Sequence, residues 1–260
     1  METAQHIAAL VRDGNLLAVA AERAGPDAPV PSCPPWLMRD LIRHLGYVHR
    51  WAAGYVRGQP LPGDPSEDEV LRSGPPDAEL IGWFRAGHAA LVSTLRVADP
   101  ALQCWTPVPG PSGRAAWARR QAHETAIHRV DAEFALGPVT PFPPDFAADG
   151  IDELIMGFFG RDREGLDSGQ RAAPPVVLQV LAADEGATAA AWLVELSADG
   201  RRAARVHRGP GPSACTLAGP ASGLYQLLWN RCDHGSAGVT VSGDARVAQS
   251  WRDAMRVRWA

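Results

Sequence analysis

Lysine is absent from this chain of 260 residues, and all 25 basic side chains are arginine. The formal net charge is −4, so there is no excess of positive charge to hold nucleic acid or an anionic membrane surface. Apolar runs are short, and none reaches the roughly 18 residues that a membrane-spanning helix needs. We therefore expect neither a nucleic-acid partner nor a membrane partner.

Cysteine is scarce, and the four cysteines (Cys33, Cys104, Cys215 and Cys232) form no CxxC pair. Such wide spacing indicates reduced thiols and not a disulfide framework. The first residues, METAQHIAALVRDGN, are amphipathic and carry charges where a signal peptide needs an unbroken apolar core. These features predict a cytoplasmic protein.

The pattern of apolar residues predicts an α+β fold with two domains. Helical periodicity, interrupted by Pro/Gly loops, predicts four long helices at 3–24, 36–57, 76–97 and 114–136. Four such helices indicate a four-helix bundle, and a further helix is expected at about 146–161. Strand-like segments then begin at Val176, and helices are expected at 220–230 and 245–257. We place the domain boundary near Gly169, with the bundle over 1–168 and a small α/β domain over 169–260.

The segment RRQAHETAIHRVDAE, at 119–133, concentrates ionisable side chains on one predicted helix. Glu124 and His128 are four residues apart and project from the same face, which is the spacing that offers two ligands to one metal ion. His123 and His128 are five apart and diverge by roughly 140°, so they are not expected to share an ion. The alternative is that Glu124 and His128 form a weak pair on a solvated helix surface.

A third ligand is suggested by the second predicted helix, where His44 interrupts an apolar stripe. A histidine at such a position is either a core residue bonded to a carbonyl or a metal ligand. With Glu124 and His128 it would make a set of two imidazoles and one carboxylate that leaves a coordination position open. This chemistry favours zinc, with iron, nickel and cobalt as alternatives. Arg120 lies one turn before Glu124, and Asp131 lies near one turn after His128. These two residues either orient the ligands or hold an anionic substrate, or they are ordinary surface partners.

Several motifs resemble the mycothiol-dependent maleylpyruvate isomerase family. They are W-x-M-R-D-L-I-x-H-L around His44, R-R-x-x-H-E-x-x-I-H-R-x-D-A-E around Glu124 and His128, D-G-I-D-E-L at 149–154, and G-P-A-S-x-L-Y-x-L-L-W-N-R at 219–231 followed by V-S-G-D. The resemblance covers nearly the whole chain and implies a DinB-like helical bundle followed by a small C-terminal domain. It implies that His44, Glu124 and His128 hold a divalent metal that binds mycothiol, the low-molecular-weight thiol of actinobacteria.

Two arginines are further site candidates. Arg120 is our candidate for cofactor binding, and Arg231 is our candidate for a catalytic contact with a carboxylate or an oxyanion. Arg231 alternatively caps the helix predicted at 220–230 or pairs with Asp233. Neither assignment identifies the substrate.

Three functions are compatible with the sequence. The first is a metal- and mycothiol-dependent isomerase or thiol S-transferase acting on a small electrophile. The second is a metal-dependent enzyme of a specialised biosynthetic pathway that uses metal-bound water and no mycothiol. The third is a non-catalytic small-molecule-binding protein, in which a fourth ligand such as His49, His123 or Cys33 closes the metal site.

Overall fold

The computed structural model of the protein describes residues 1–61, 63, 65–160, 176–184, 189–196 and 203–254. By its internal contacts the chain divides into two units, Met1–Thr140 and Pro141–Ala260. The predicted boundary near Gly169 lies outside the described residues. Among the described residues, no helix combines the length and apolar character needed to cross a membrane.

The first unit is helical. Its helices are α1 (Thr3–Ala24), α2 (Met38–Val56), the short α3 (Glu67–Leu71), α4 (Leu80–Val97) and α5 (Gly113–Phe134). The four long helices pack in a ring in which α1 contacts α5, α5 contacts α2, α2 contacts α4, and α4 contacts α1. The predicted four-helix bundle is confirmed.

The bundle core is built from the apolar stripes of its helices. Leu17 of α1, Leu41 and Leu45 of α2, and Phe84 of α4 are fully buried and belong to one cluster. Removing such side chains from water supplies the main stabilisation of a bundle. Helix α5 departs from this pattern because it buries residues on nearly every side, among them the charged Arg120, Glu124, Arg129 and Asp131. Charged groups buried in this way need partners.

The second unit combines helices with a mixed sheet. Its elements are α6 (Pro144–Asp152), which continues as a π-helical turn (Glu153–Phe158), β1 (Val176–Ala182), β2 (Ala190–Leu196), β3 (Ala203–Arg208), β4 (Cys215–Gly219), α7 (Ala221–Leu228), β5 (Thr240–Gly243) and α8 (Ala245–Ala254). The strand order is β3-β2-β1-β4-β5. Of the strand pairs that the structure describes, β1–β4 is parallel and the other three are antiparallel. The predicted α+β fold class, with a small α/β domain after the bundle, is confirmed.

Helix α6 packs within the second unit, whereas its sequence position had placed it before the expected boundary. The rings of Phe142 and Phe146 lie 5.2 and 6.3 Å from that of Tyr225 on α7. The backbone N–H of Phe142 donates a hydrogen bond to Ser222 Oγ at 3.0 Å. Aromatic packing onto α7 therefore determines the unit to which α6 belongs.

Candidate metal centre

The bundle brings His44, Glu124 and His128 together. One ligand atom from each residue lies within 4.8 Å of the other two. His44 Nε2 is 3.3 Å from Glu124 Oε1, and His128 Nε2 is 3.2 Å from the same oxygen. Two imidazole nitrogens are thus directed at one carboxylate oxygen, and we call these three residues the histidine site.

Helix geometry explains the arrangement. Glu124 and His128 are one turn apart on α5, a helix whose first turn is capped by Ser112 Oγ accepting from Ala115 N at 3.2 Å. His44 lies on the buried face of α2, between Leu41 and Val48, and this face packs against α5. The histidine site is therefore formed by two regular helices, which hold ligands more rigidly than loops do.

Asp131 fixes the orientation of the His128 ring. Its Oδ2 lies 2.8 Å from His128 Nδ1, so Nε2 is left to face Glu124. Ser32 Oγ donates to Asp131 Oδ1 at 2.5 Å, and Cys33 Sγ lies 3.5 Å from Oδ2. A carboxylate that holds the second ring nitrogen of a ligating histidine is the usual outer-shell partner of a metal site.

Arg120 contacts the carboxylate of Glu124. Its guanidinium donates to Oε2 at 2.9 Å, which leaves Oε1 for the two histidines, and Arg120 is only 1% exposed. The residue predicted to bind a cofactor therefore lies beside a predicted metal ligand, where it restrains the carboxylate and balances its charge. The guanidinium of Arg120 is thus buried against Glu124.

The ionisable groups of the histidine site shift one another's pKa. Burial lowers the pKa of His44, and the hydrogen bond to Glu124 only partly offsets this effect. Burial would raise the pKa of Glu124, but hydrogen bonds with His128 and His44 and the charges of His128 and Arg120 hold it well below its usual value. Burial opposes the charge on His128, yet hydrogen bonds to Asp131 and Glu124, with their charges, raise its pKa to about 9. The site thus pairs an ionised carboxylate with a protonated His128.

Trp36, the first residue of the motif around His44, lies against both histidines. Its ring centroid is 5.1 Å from that of His44 and 6.2 Å from that of His128, and it stacks on the latter. The helix predicted at 36–57 begins at Met38, so Trp36 lies just before α2.

The proposed fourth ligands have other neighbours. His49 Nε2 is 2.9 Å from Thr125 Oγ1. The ring of His123 packs edge-on against that of His6, with centroids 5.9 Å apart. Cys33 contacts Asp131, as noted above. In the part of the chain that the structure describes, the group that contains His44 has no fourth His, Cys, Asp or Glu donor.

Arg231 lies in the second unit, just after α7. Its guanidinium donates to the carbonyl oxygen of Trp229 at 2.9 Å, and its backbone N–H donates to Gln226 O at 2.9 Å. Between these residues Asn230 adopts φ = 59°, a left-handed conformation that often ends a helix. These contacts are those of a helix C-terminal cap, one of the roles considered for Arg231.

The donor set suits a divalent cation. Two neutral imidazoles and one carboxylate are typical of catalytic zinc sites, in which three protein ligands leave one position for water or substrate. In the ion pairs described, Glu124 and Asp131 carry two negative charges and Arg120 carries one permanent positive charge. The remaining negative charge is met by a proton on His128 or, in its place, by a cation.

Comparison with known proteins gives a consistent result. Residues 7–133 match the family model of the mycothiol maleylpyruvate isomerase N-terminal domain, and residues 145–250 match that of the MDMPI C-terminal domain. The solved structures of a mycothiol-dependent maleylpyruvate isomerase and of its histidine-to-alanine variant resemble the chain with TM-scores of 0.62 and 0.61. Each is 16% identical to it, with 93% of both chains covered. A search of curated proteins gives no significant match. At this identity the solved structures show a shared fold.

Proposed function

Since the chain belongs to the mycothiol-dependent maleylpyruvate isomerase family, we propose that it is a metal-dependent enzyme that uses mycothiol as a thiol cosubstrate. The substrate is a small electrophile, and the reaction is an isomerisation or a thiol S-transfer. The observation that carries this proposal is the approach of His44, Glu124 and His128 ligand atoms to within 4.8 Å of one another.

Each residue around the histidine site has a role in this proposal. His44 Nε2, Glu124 Oε1 and His128 Nε2 hold the metal, with zinc favoured by the donor set. Asp131 keeps His128 in the tautomer that presents Nε2, and Arg120 keeps the second oxygen of Glu124 occupied. A bound metal lowers the pKa of a coordinated thiol, so that a thiolate is available at neutral pH.

The thiolate accounts for both reactions. In an isomerisation, the thiolate sulfur bonds to one carbon of an activated double bond, and the electron pair of that bond moves to the adjacent carbonyl oxygen. Rotation about the new single bond follows, the electron pair returns, and the thiolate leaves unchanged. In an S-transfer the carbon–sulfur bond is kept, the electron pair returns from the enolate oxygen to the carbon beside the carbonyl, and that carbon takes up a proton from solvent.

We also propose Arg231 as the catalytic residue that binds the substrate's carboxylate or developing oxyanion. Arg231→Met should then lower kcat/KM while the metal content stays at the wild-type level. A variant with unchanged kcat/KM would leave Arg231 with the capping role described above.

Metal and thiol binding provide the central test. Protein purified without chelator should hold about one divalent metal per chain, and exchange for Co²⁺ gives a spectroscopic probe of the ligands. Adding mycothiol to the Co²⁺ form should produce a thiolate-to-cobalt absorption band that saturates at one equivalent. A chain that binds no divalent metal at neutral pH contradicts the proposal.

Other outcomes separate the alternatives. A metal-loaded protein that does not bind mycothiol but turns over substrate favours a reaction of metal-bound water. A metal-loaded protein without turnover of any electrophile favours a non-catalytic binding role. His88→Gln is a control because His88, a buried histidine of α4 whose Nε2 lies 3.0 Å from Leu10 O, is outside the histidine site, and the change should leave the metal content unchanged.

A further inference from the structure

Gln121 on α5 is fully buried, and neither atom of its amide group forms a hydrogen bond with any described residue. A glutamine amide can donate two hydrogen bonds and accept two. Burying it without partners carries a free-energy penalty, and such groups are rare in folded proteins unless a ligand or water satisfies them. An apolar side chain of similar size would avoid the penalty at this position.

Helix geometry places Gln121 on the face of α5 that carries the histidine site. At 100° per residue, Gln121 lies within about 60° of Glu124 and about 20° of His128 around the helix axis. Residues three apart are direct neighbours on a helix surface, so Gln121 adjoins Glu124. Along the helix axis, Gln121 lies one turn before Glu124 and His128 lies one turn after it. The amide is therefore next to a proposed metal ligand.

The residues one turn before and after Gln121 both contact α2. The Trp117 ring lies 5.1 Å from that of Trp51, and Thr125 Oγ1 lies 2.9 Å from His49 Nε2. Gln121, between them on the same face, is directed into the α2–α5 interface. This interface also contains His44, whose Nε2 is 3.3 Å from Glu124 Oε1, so Gln121 and the histidine site share one helix–helix interface.

When a thiol binds through its sulfur beside Glu124, the rest of the molecule extends into the α2–α5 interface next to Gln121. Thiols derived from cysteine carry an amide group two carbon atoms from the sulfur, and that group both donates and accepts hydrogen bonds. We propose that Gln121 is a cosubstrate-binding residue that hydrogen-bonds the amide of the metal-bound thiol and so selects amide-bearing thiols over simple ones. This inference rests on the proposed function.

The experiment compares two neutral thiols of similar acidity, N-acetylcysteamine, which has an amide, and 2-mercaptoethanol, which has none. Each is titrated into the Co²⁺-substituted protein, and the thiolate-to-cobalt band gives its Kd. Wild type should bind N-acetylcysteamine about tenfold more tightly than 2-mercaptoethanol, because one or two hydrogen bonds to a buried group have an effect of this size. In Gln121→Leu this preference should disappear through weaker N-acetylcysteamine binding, with the Kd of 2-mercaptoethanol and the cobalt content unchanged.

Two further measurements guard against a purely structural effect. Gln121→Met keeps the unbranched shape of glutamine and should give the same loss of preference, with a Tm at or above that of wild type because an unpaired amide is removed. Thr125→Val removes a hydrogen bond one turn away and should lower the Tm but retain the thiol preference.

The outcomes distinguish this inference from the proposed function. The role of Gln121 is overturned if wild type binds the two thiols equally well, or if the Gln121 variants lose affinity for both thiols to the same extent. The proposed use of mycothiol stands in either case. Failure of wild type to bind either thiol overturns both. Retention of the preference in Gln121→Leu also overturns the inference and indicates that the amide serves only the fold.

Discussion

Helix α5 buries charged groups on two of its sides, and the charges are paired differently on each side. Toward α1, Arg129 lies 3.1 Å from Asp13 and 2.7 Å from Glu133. Glu133 also accepts hydrogen bonds from the backbone N–H and the hydroxyl of Thr140, at 2.8 and 2.9 Å. We call these four residues the closed network, because protein groups match each charge. Toward α2, the two imidazoles of the histidine site instead face a single carboxylate oxygen.

The closed network and the histidine site differ in how their buried charges are balanced. In the closed network the guanidinium of Arg129 lies between two carboxylates, and Arg12 adds a second positive charge at 2.7 Å from Asp13. In the histidine site the charges balance only when His128 keeps a proton, with its pKa raised to about 9 by Asp131 and Glu124. A metal ion can replace that proton, whereas both carboxylates of the closed network already face arginine side chains. Perturbed groups of this kind are typical of functional sites.

The largest difference should appear when one member of each cluster is removed. His128→Ala deletes a proposed metal ligand, and the metal affinity should fall by more than the roughly 10- to 100-fold that loss of an outer-shell partner causes. The free energy of unfolding of the metal-free protein should change much less than the metal affinity. Metal content after dialysis and a competition titration measure the first quantity, and urea denaturation measures the second. Retention of one tightly bound metal by His128→Ala would refute the assigned ligand set.

Arg129→Leu should show the reverse behaviour. It leaves the carboxylates of Asp13 and Glu133 buried beside an apolar side chain, and the free energy of unfolding should fall by about 3–5 kcal/mol. Metal affinity should stay at the wild-type value under conditions where the variant is folded. Urea denaturation of the metal-free protein provides the measurement.

Arg12→Ala is the matched control for the closed network. Arg12 pairs with the same Asp13, but its side chain is 40% exposed, so its removal should cost less than about 1 kcal/mol. Equal losses in the Arg12 and Arg129 variants would show that the closed network does not depend on its buried guanidinium.

The sequence could predict the parts of the site that depend on local geometry. Glu124 and His128 are four residues apart, and helix periodicity alone directs both to one face. His44 was identified because it interrupts an apolar stripe, but it lies 80 residues from Glu124, so its pairing rested on the family resemblance. The four-helix bundle and the strands of the second unit followed from periodicity in the same way.

Features that depend on tertiary packing were not accessible from the sequence. Ser32 donates a hydrogen bond to Asp131, 99 residues away, and the Trp36 ring packs against the histidines from just before α2. The unpaired amide of Gln121 shows only when every neighbour is in place. The assignment of α6 to the second unit depends on its packing against Tyr225, a contact between distant segments.

Asp131→Asn should have an intermediate effect. The amide still reaches His128 Nδ1 but no longer carries the charge that orients the ring and makes its Nε2 more basic. The metal affinity should fall about 10- to 100-fold, as it does when outer-shell carboxylates are lost elsewhere. Competition titration with a chromogenic chelator measures the change. Asp40→Asn, at the start of α2, is the control, because Asp40 accepts a hydrogen bond from Leu37 N and does not contact the histidine site. An Asp131 variant with unchanged affinity would show that His128 is positioned by packing alone.

The smallest expected effect is the pH dependence of metal binding, in which the metal affinity changes about tenfold per pH unit. Because the pKa of His128 is raised to about 9, the metal-free site holds a proton at neutral pH, and metal must displace it. Affinity should therefore rise as the pH increases from 7 towards 9 and level off above the pKa, with about one proton released per metal. Calorimetry in buffers of different ionisation enthalpy counts that proton. In Asp131→Asn the pKa of His128 should drop and the plateau should begin at a lower pH. Affinity that does not vary between pH 7 and 9 would mean that His128 is already neutral and that a proton does not complete the charge of the histidine site.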